Sequence, residues 1–140
     1  MDVPIIETTH VLKEQTAMSK FPAMVRLLAI MVGLVFVMNG AAKLTSQPAM
    51  VQQFDHFGYA QWFLYAVGLI ETLLGIGLLV PKSLRWAALG LIPVMAGAVV
   101  SHVMHDPPDA VLPAGGLMLV LAYLVWRTGG LPAQESGGDD

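Results

Sequence analysis

The chain contains no cysteine. That excludes a disulfide framework, a cysteine-based metal site and a thiol relay of its own. Charge is scarce as well. Asp, Glu, Lys and Arg together make up 12% of the 140 residues, against about 25% in an ordinary soluble domain. The net charge of −3, with no basic patch, excludes nucleic acid as a partner. Long stretches also lack any polar face. A buried helix of a soluble bundle shows an apolar stripe opposite a polar one. The runs 62–80 and 110–126 show none.

What is present is hydrophobic. Apolar residues make up 56% of the chain, and the mean hydropathy is +0.67. Four apolar segments follow a mixed, polar N-terminal stretch: 24–44, 62–80, 84–103 and 110–126. Each approaches the roughly 20 residues that a helix needs to cross the hydrocarbon core. The pattern predicts an all-α, polytopic four-helix bundle in a membrane. The domain covers 22–128, between a polar tail at 1–21 and a disordered tail at 129–140. A short helix near Thr9–Met18 is expected in the first tail. A secretory leader is the rival reading of the N-terminus, but it would be unusually long, with acids in its basic region.

Residues suited to the membrane boundary cluster at the segment ends. Arg26, Lys82, Arg85 and Arg127 can extend towards headgroups. Trp62, Trp86 and Trp126 supply an aromatic belt, with Tyr65 and Tyr123 near them. The connectors 45–61 and 104–109 carry no Lys or Arg. Lys13, Lys20, Lys82 and Arg127 all lie in the other set of connectors and tails. The positive-inside rule therefore predicts that both termini are cytoplasmic.

The first outer connector, "SQPAMVQQFDHFGYAQW", has helical character. Ser46 or Gln47 would cap it, Pro48 suits its first turn and Gly58 would end it. Met50, Val51, Phe54 and Phe57 share one face, so the helix is expected to lie flat on the outer surface. Pro93 should kink the third segment. Gly68, Gly75 and Gly77, with Gly115 and Gly116, should allow helices to approach closely.

One carboxylate stands inside the second segment, in "VGLIETLLGIGLL". Glu71 lies about nine residues from Trp62, or roughly 13 Å at the helical rise, near the midplane. An acid there costs roughly 3 kcal/mol on insertion scales, so it should face the bundle interior and find a partner. Asn39 and Lys43 share a face of the first segment, and His102 ends the third. Depth favours a Glu71–Asn39 hydrogen bond, with Lys43 extending the network outward. The same four residues suit either a structural pin or a ligand or proton site.

"SHVMHD" places His102 and His105 three residues apart at the outer boundary. With Asp106 or Asp109 they are weak candidates for a metal site. Histidines of a polar boundary are the preferred reading, with no metal. "HDPPDA" reads as a stiff outer turn.

Taken in order, these features form a pattern. Arg26 opens the first segment and "NGAAKL" closes it. The connector "PAMVQQFDHFGYAQW" follows, then "GLIETLLGIGLLVPKSLRWAALGL", then "AGAVVSHVMH". This resembles the DoxX-like family of small four-helix membrane proteins over residues 22–128. The family's recurring polar positions fall here on Arg26, Lys43, Glu71 and His102. Its named members include a subunit of a thiosulfate:quinone oxidoreductase, and others are associated with oxidative-stress complexes.

The resemblance implies a bacterial inner-membrane protein. The leading expectation is an accessory or anchoring subunit of a larger, redox-related complex rather than a stand-alone enzyme. It would contact lipid and either copies of itself or partner membrane subunits. One alternative is a quinone-binding component with no covalently bound cofactor. There Lys43, Glu71 and His102 would meet quinone oxygens, and Phe36, Met38 and Met104 would form an apolar slot. Another alternative is a small-solute or proton carrier acting through Glu71.

Overall fold

A computed structural model describes residues 4–18 and 23–129, and these are all-helical apart from short turns. Six helices follow one another: α1 (Ile5–Met18), α2 (Ala23–Leu44), α3 (Pro48–His56), α4 (Gln61–Leu79), α5 (Leu84–His105) and α6 (Val111–Gly129). A 3-10 turn, Pro108–Ala110, leads into α6. Lys20 and the tail beyond residue 129 lie outside the described residues. Pro4 and the α1 residues Ile5–Leu12 are exposed.

Four helices are long and apolar enough to cross a membrane: α2, α4, α5, and α6 with its leading turn. They pack in chain order. α2 lies against α4, α4 against α5, and α5 against α6, while α6 touches α2 only slightly. Arg26, Lys82, Arg85 and Arg127 mark one end of the bundle, the arginine end, and His56, His102 and His105 mark the other, the histidine end. The apolar core lies mostly towards the arginine end. Val25, Ala29, Val32 and Phe36 of α2 meet Leu78 of α4, Leu84, Ala87, Ala88, Leu91 and Met95 of α5, and Leu121 and Leu124 of α6.

The α2–α4 seam has a regular period. Leu64, Gly68, Glu71, Gly75 and Leu78 are the buried residues of α4. Their alternating steps of four and three keep one stripe turned to the neighbouring helix. On α2 the matching stripe includes Gly33, Phe36, Gly40 and Lys43. Glycines meet glycines across the seam. A β-carbon on Gly33 would stand 2.9 Å from the Gly75 carbonyl oxygen, and one on Gly40 would stand 2.6 Å from that of Gly68. Backbones can come this close only without side chains at those positions. Gly77 likewise faces the β-carbon of Ala87. Gly115 and Gly116 do not act in this way. Open space surrounds both, because the helix-facing positions of α6 are Ala114, Leu121 and Leu124.

α5 runs as one helix through Pro93, which is exposed on its surface. The connector helix α3 turns its apolar face onto the bundle. Phe54 is buried, and its ring packs against those of Tyr59 and Phe63. Two helix ends frame it. Gly58 (φ +76°) closes α3 in the left-handed conformation, with the Gly58 amide donating to Asp55 and the Tyr59 amide to Phe54. The Phe54–Tyr59 ring contact is the apolar clasp that accompanies this motif. Ser46 (φ +52°) closes α2 in the same way, with amide bonds from Ser46 to Lys43 and from Gln47 to Ala42. A serine pays about 1–2 kcal/mol for that conformation. Its hydroxyl is tied to the Tyr65 hydroxyl of α4 at 2.7 Å. Gln47, the residue before α3, makes no side-chain cap.

Candidate functional site: an ion pair within the α2–α4 seam

Glu71 is 3% exposed and Lys43 8% exposed. Lys43 Nζ donates to Glu71 Oε2 at 2.6 Å, forming a salt bridge between two membrane-spanning helices. The local sequence explains how they meet. Lys43 lies in the last turn of α2, where the helix carbonyls favour a cation. Glu71 is central in α4. Gly68, three residues before it, leaves room for the lysine: a β-carbon there would be 2.8 Å from the Lys43 β-carbon. The lysine stem therefore passes over Gly68 and reaches about 4.5 Å further along α4 to the carboxylate. Thr72 adds nothing to the pair, because its hydroxyl donates to the Gly68 carbonyl at 2.8 Å.

Asn39 is not the partner of Glu71. It is half-buried, and its side chain makes no hydrogen bond among the described residues. The reason is helical phase. Asn39 stands beside the stripe of Gly33, Phe36, Gly40 and Lys43, off the line that faces α4. Depth favoured Asn39, but side-chain length and the gap at Gly68 favoured Lys43.

His102 belongs to a different group. Its Nδ1 lies 2.6 Å from Asp106 Oδ2, one turn along α5. His56 Nε2, at the end of α3, lies 3.0 Å from Asp106 Oδ1 and 3.3 Å from the His105 carbonyl. Both neighbours of His56 Nε2 are acceptors, so that nitrogen carries the hydrogen. The His102 hydrogen bond holds the Asp106 carboxyl below its ordinary range; the His56 bond adds to this, and partial burial opposes it. His105 Nδ1 donates to the Ser101 carbonyl at 2.9 Å. The Phe57 ring packs edge-on to His102, with ring centres 5.2 Å apart. Among the described residues no group of three His, Cys, Asp or Glu side chains is arranged to hold a metal ion, so His102 and His105 have no such set to join.

A second tie fastens the connector to α5. Tyr59 and Ser101 hydroxyls lie 2.8 Å apart, and Ser101 donates its own hydrogen to the Gly97 carbonyl. Tyr59 is therefore the donor of the pair. His56, Tyr59 and Ser101 did not stand out in the sequence as partners. The four-residue step from His102 to Asp106 was the one available signal.

The expected apolar slot does not form. Phe36 is in the core, whereas Met38 and Met104 are each 72% exposed on the bundle surface. A pocket of about 110 Å³ beneath α3 is lined by Val51, Phe54, Asp55, Gln61 and Leu64. None of the four expected polar residues lines it. Among the described residues every buried side-chain nitrogen and oxygen has a hydrogen-bond partner. The boundary residues Arg26, Lys82, Arg85 and Arg127 are exposed, as are Trp62, Trp86 and Trp126.

No curated protein and no solved structure matches the chain. A family model described as "DoxX-like family" matches residues 27–125. That match runs from the second turn of α2 to within about one turn of the end of α6, and so contains both the Lys43–Glu71 seam and the histidine end. With four helices able to cross a membrane, this multi-pass membrane protein belongs to the DoxX-like family.

Proposed function

We propose that the chain is an accessory or anchoring subunit of a larger, redox-related complex in a bacterial inner membrane, with both termini cytoplasmic. The observation that carries this reading is that the one intramembrane acid is engaged inside the chain. Glu71 and Lys43 satisfy each other within a glycine-lined seam. A carrier or a quinone site acting through Glu71 would first have to part them. Parting a buried pair is costly, because each charge is left uncompensated. A clamp of this kind suits a protein whose work is to present fixed surfaces to other membrane subunits or to further copies of itself.

Purification of the tagged chain from its native membrane in mild detergent tests this. The expected result is a stoichiometric membrane partner, retained by the double variant Lys43→Met/Glu71→Leu, which removes both charges together. A preparation with no partner but with extractable quinone, lost in the same variant, would support the quinone-binding alternative. Proton uptake into vesicles that Glu71→Gln abolishes would support the carrier.

A further inference from the structure

Away from the ends of the four spans, the polar side chains are engaged, with one exception. Lys43 pairs with Glu71, Thr72 donates to the Gly68 carbonyl and Ser101 to that of Gly97. Asn39 has no hydrogen bond among the described residues. It stands five residues before the end of α2, about 8 Å inside at the helical rise. Its carboxamide sits on a single methylene, so it cannot extend to the headgroups as a lysine does. Hydrocarbon offers it no partner, and an unpaired polar group there is costly. The packing of α2 shows which way it lies. α4 covers the row Gly33, Val37, Gly40 and Leu44. Asn39 is about 100° round the helix from Gly40, on the flank away from α4. α6 touches α2 only slightly, and Val35 and Met38, next to Asn39 on the helix surface, are exposed.

Val35, Asn39 and Ala42 follow the four-then-three step of a helix seam, flanked by the exposed Met31 and Met38. α2 thus carries two stripes. One is buried against α4; the other lies on the outer flank with an amide in it. The chemistry of that amide selects the occupant. A carboxamide both donates and accepts. Copies of the chain inserted in the same direction hold their Asn39 residues at equal depth. Across a two-fold axis along the membrane normal, each amide can donate an N–H to the carbonyl oxygen of the other, and both are satisfied. A partner of another sequence would need its own polar group at that depth. We infer that this flank of α2 is a two-fold interface with a second copy of the chain, in which Asn39 pairs with its counterpart. The dimer needs only two copies in one bilayer, so its failure would leave the accessory-subunit function standing.

Because the chain has no cysteine, one introduced thiol reports a single position. The full chain is made with Val35→Cys, Met38→Cys or Ala42→Cys, and with Leu73→Cys or Leu119→Cys on the exposed faces of α4 and α6 as controls. Each is oxidised with copper phenanthroline, both in phosphatidylcholine vesicles over a series of lipid dilutions and in the native membrane. The expected result is a disulfide-linked homodimer from the α2 positions and little from the controls. Asn39→Leu, added to the best α2 variant, should move the dilution midpoint about tenfold towards monomer, while Asn39→Gln, which keeps the amide, should retain most of the dimer. Asn39 has no hydrogen bond within the chain to lose, so the SDS unfolding midpoint of the Asn39→Leu monomer should match that of the parent. Equal cross-linking from the controls would overturn the inference, as would a midpoint that Asn39→Leu leaves unmoved. A cross-link in the native membrane to a protein of different mass, in place of the homodimer, would overturn it in favour of another subunit.

Discussion

The seam between α2 and α4 holds a lysine, a glutamate and four glycines, whereas the seam between α5 and α6 holds leucines, alanines and a methionine. Both must join helices where lipid tails are as apolar as the side chains. Leucine against leucine therefore gains little over leucine against lipid, and close contact and polar ties matter more. The α2–α4 seam uses both, and it is the most extensive helix contact in the molecule. The α5–α6 seam keeps its charges at the rim, on Arg85 and Arg127. A cation's place relative to the buried stripe thus decides its role. Lys43 falls in the stripe and becomes a clamp, while the arginines stand outside it and are exposed.

The largest expected effect breaks the polar seam. Lys43→Met or Glu71→Gln alone leaves one buried polar group facing a lost partner, and should destabilise the fold by about 3–5 kcal/mol. Unfolding in mixed micelles by SDS titration would measure it. Next comes the glycine contact. Gly40→Ala should cost about 1–3 kcal/mol through overpacking against α4. In contrast Gly116→Ala, with open space around it, should gain up to about 1 kcal/mol from helix propensity. The same titration separates the two.

Smaller effects lie at the histidine end. Tyr59→Phe removes one hydroxyl donor to Ser101 and should cost about 1 kcal/mol, seen as faster amide exchange in α3. The weakest is pH dependence. The Asp106 carboxyl is held below its ordinary value in the folded chain. Its stabilising contribution is therefore complete above the ordinary carboxylate range, and is lost as pH falls through the lowered folded value. Asp106→Asn should flatten that part of an acid titration of α3 amide exchange, and an unchanged acid limb would refute the assignment.

Much of this was legible in the sequence, because membrane crossing depends on length and composition. The α4 span expected at 62–80 is Gln61–Leu79, and the connector helix begins at Pro48 as its proline suggests. Glu71 as the residue in need of a partner also follows from composition alone. The partner itself does not. Asn39 and Lys43 lie one turn apart, and choosing between them required the phase of α2 against α4 and the space above Gly68. The period of α4 was in fact present in Gly68, Glu71 and Gly75, but it becomes informative only beside Gly33 and Gly40. The bond from His56 to Asp106 joins positions fifty residues apart, and no local pattern announces it. Gly115 and Gly116 fail for the reverse reason: small residues permit close approach but do not create it.

The most direct measurement is a double-mutant cycle on Lys43 and Glu71, read as unfolding free energy in the same micelles. If the pair is a clamp, Lys43→Met and Glu71→Leu will each be strongly destabilising, and the double variant will return close to the parent chain, with coupling of about 3 kcal/mol or more. Additive losses, with the double variant as unstable as the sum of the two, would contradict the account. The two charges would then be acting independently, and the acid would need a partner other than this lysine.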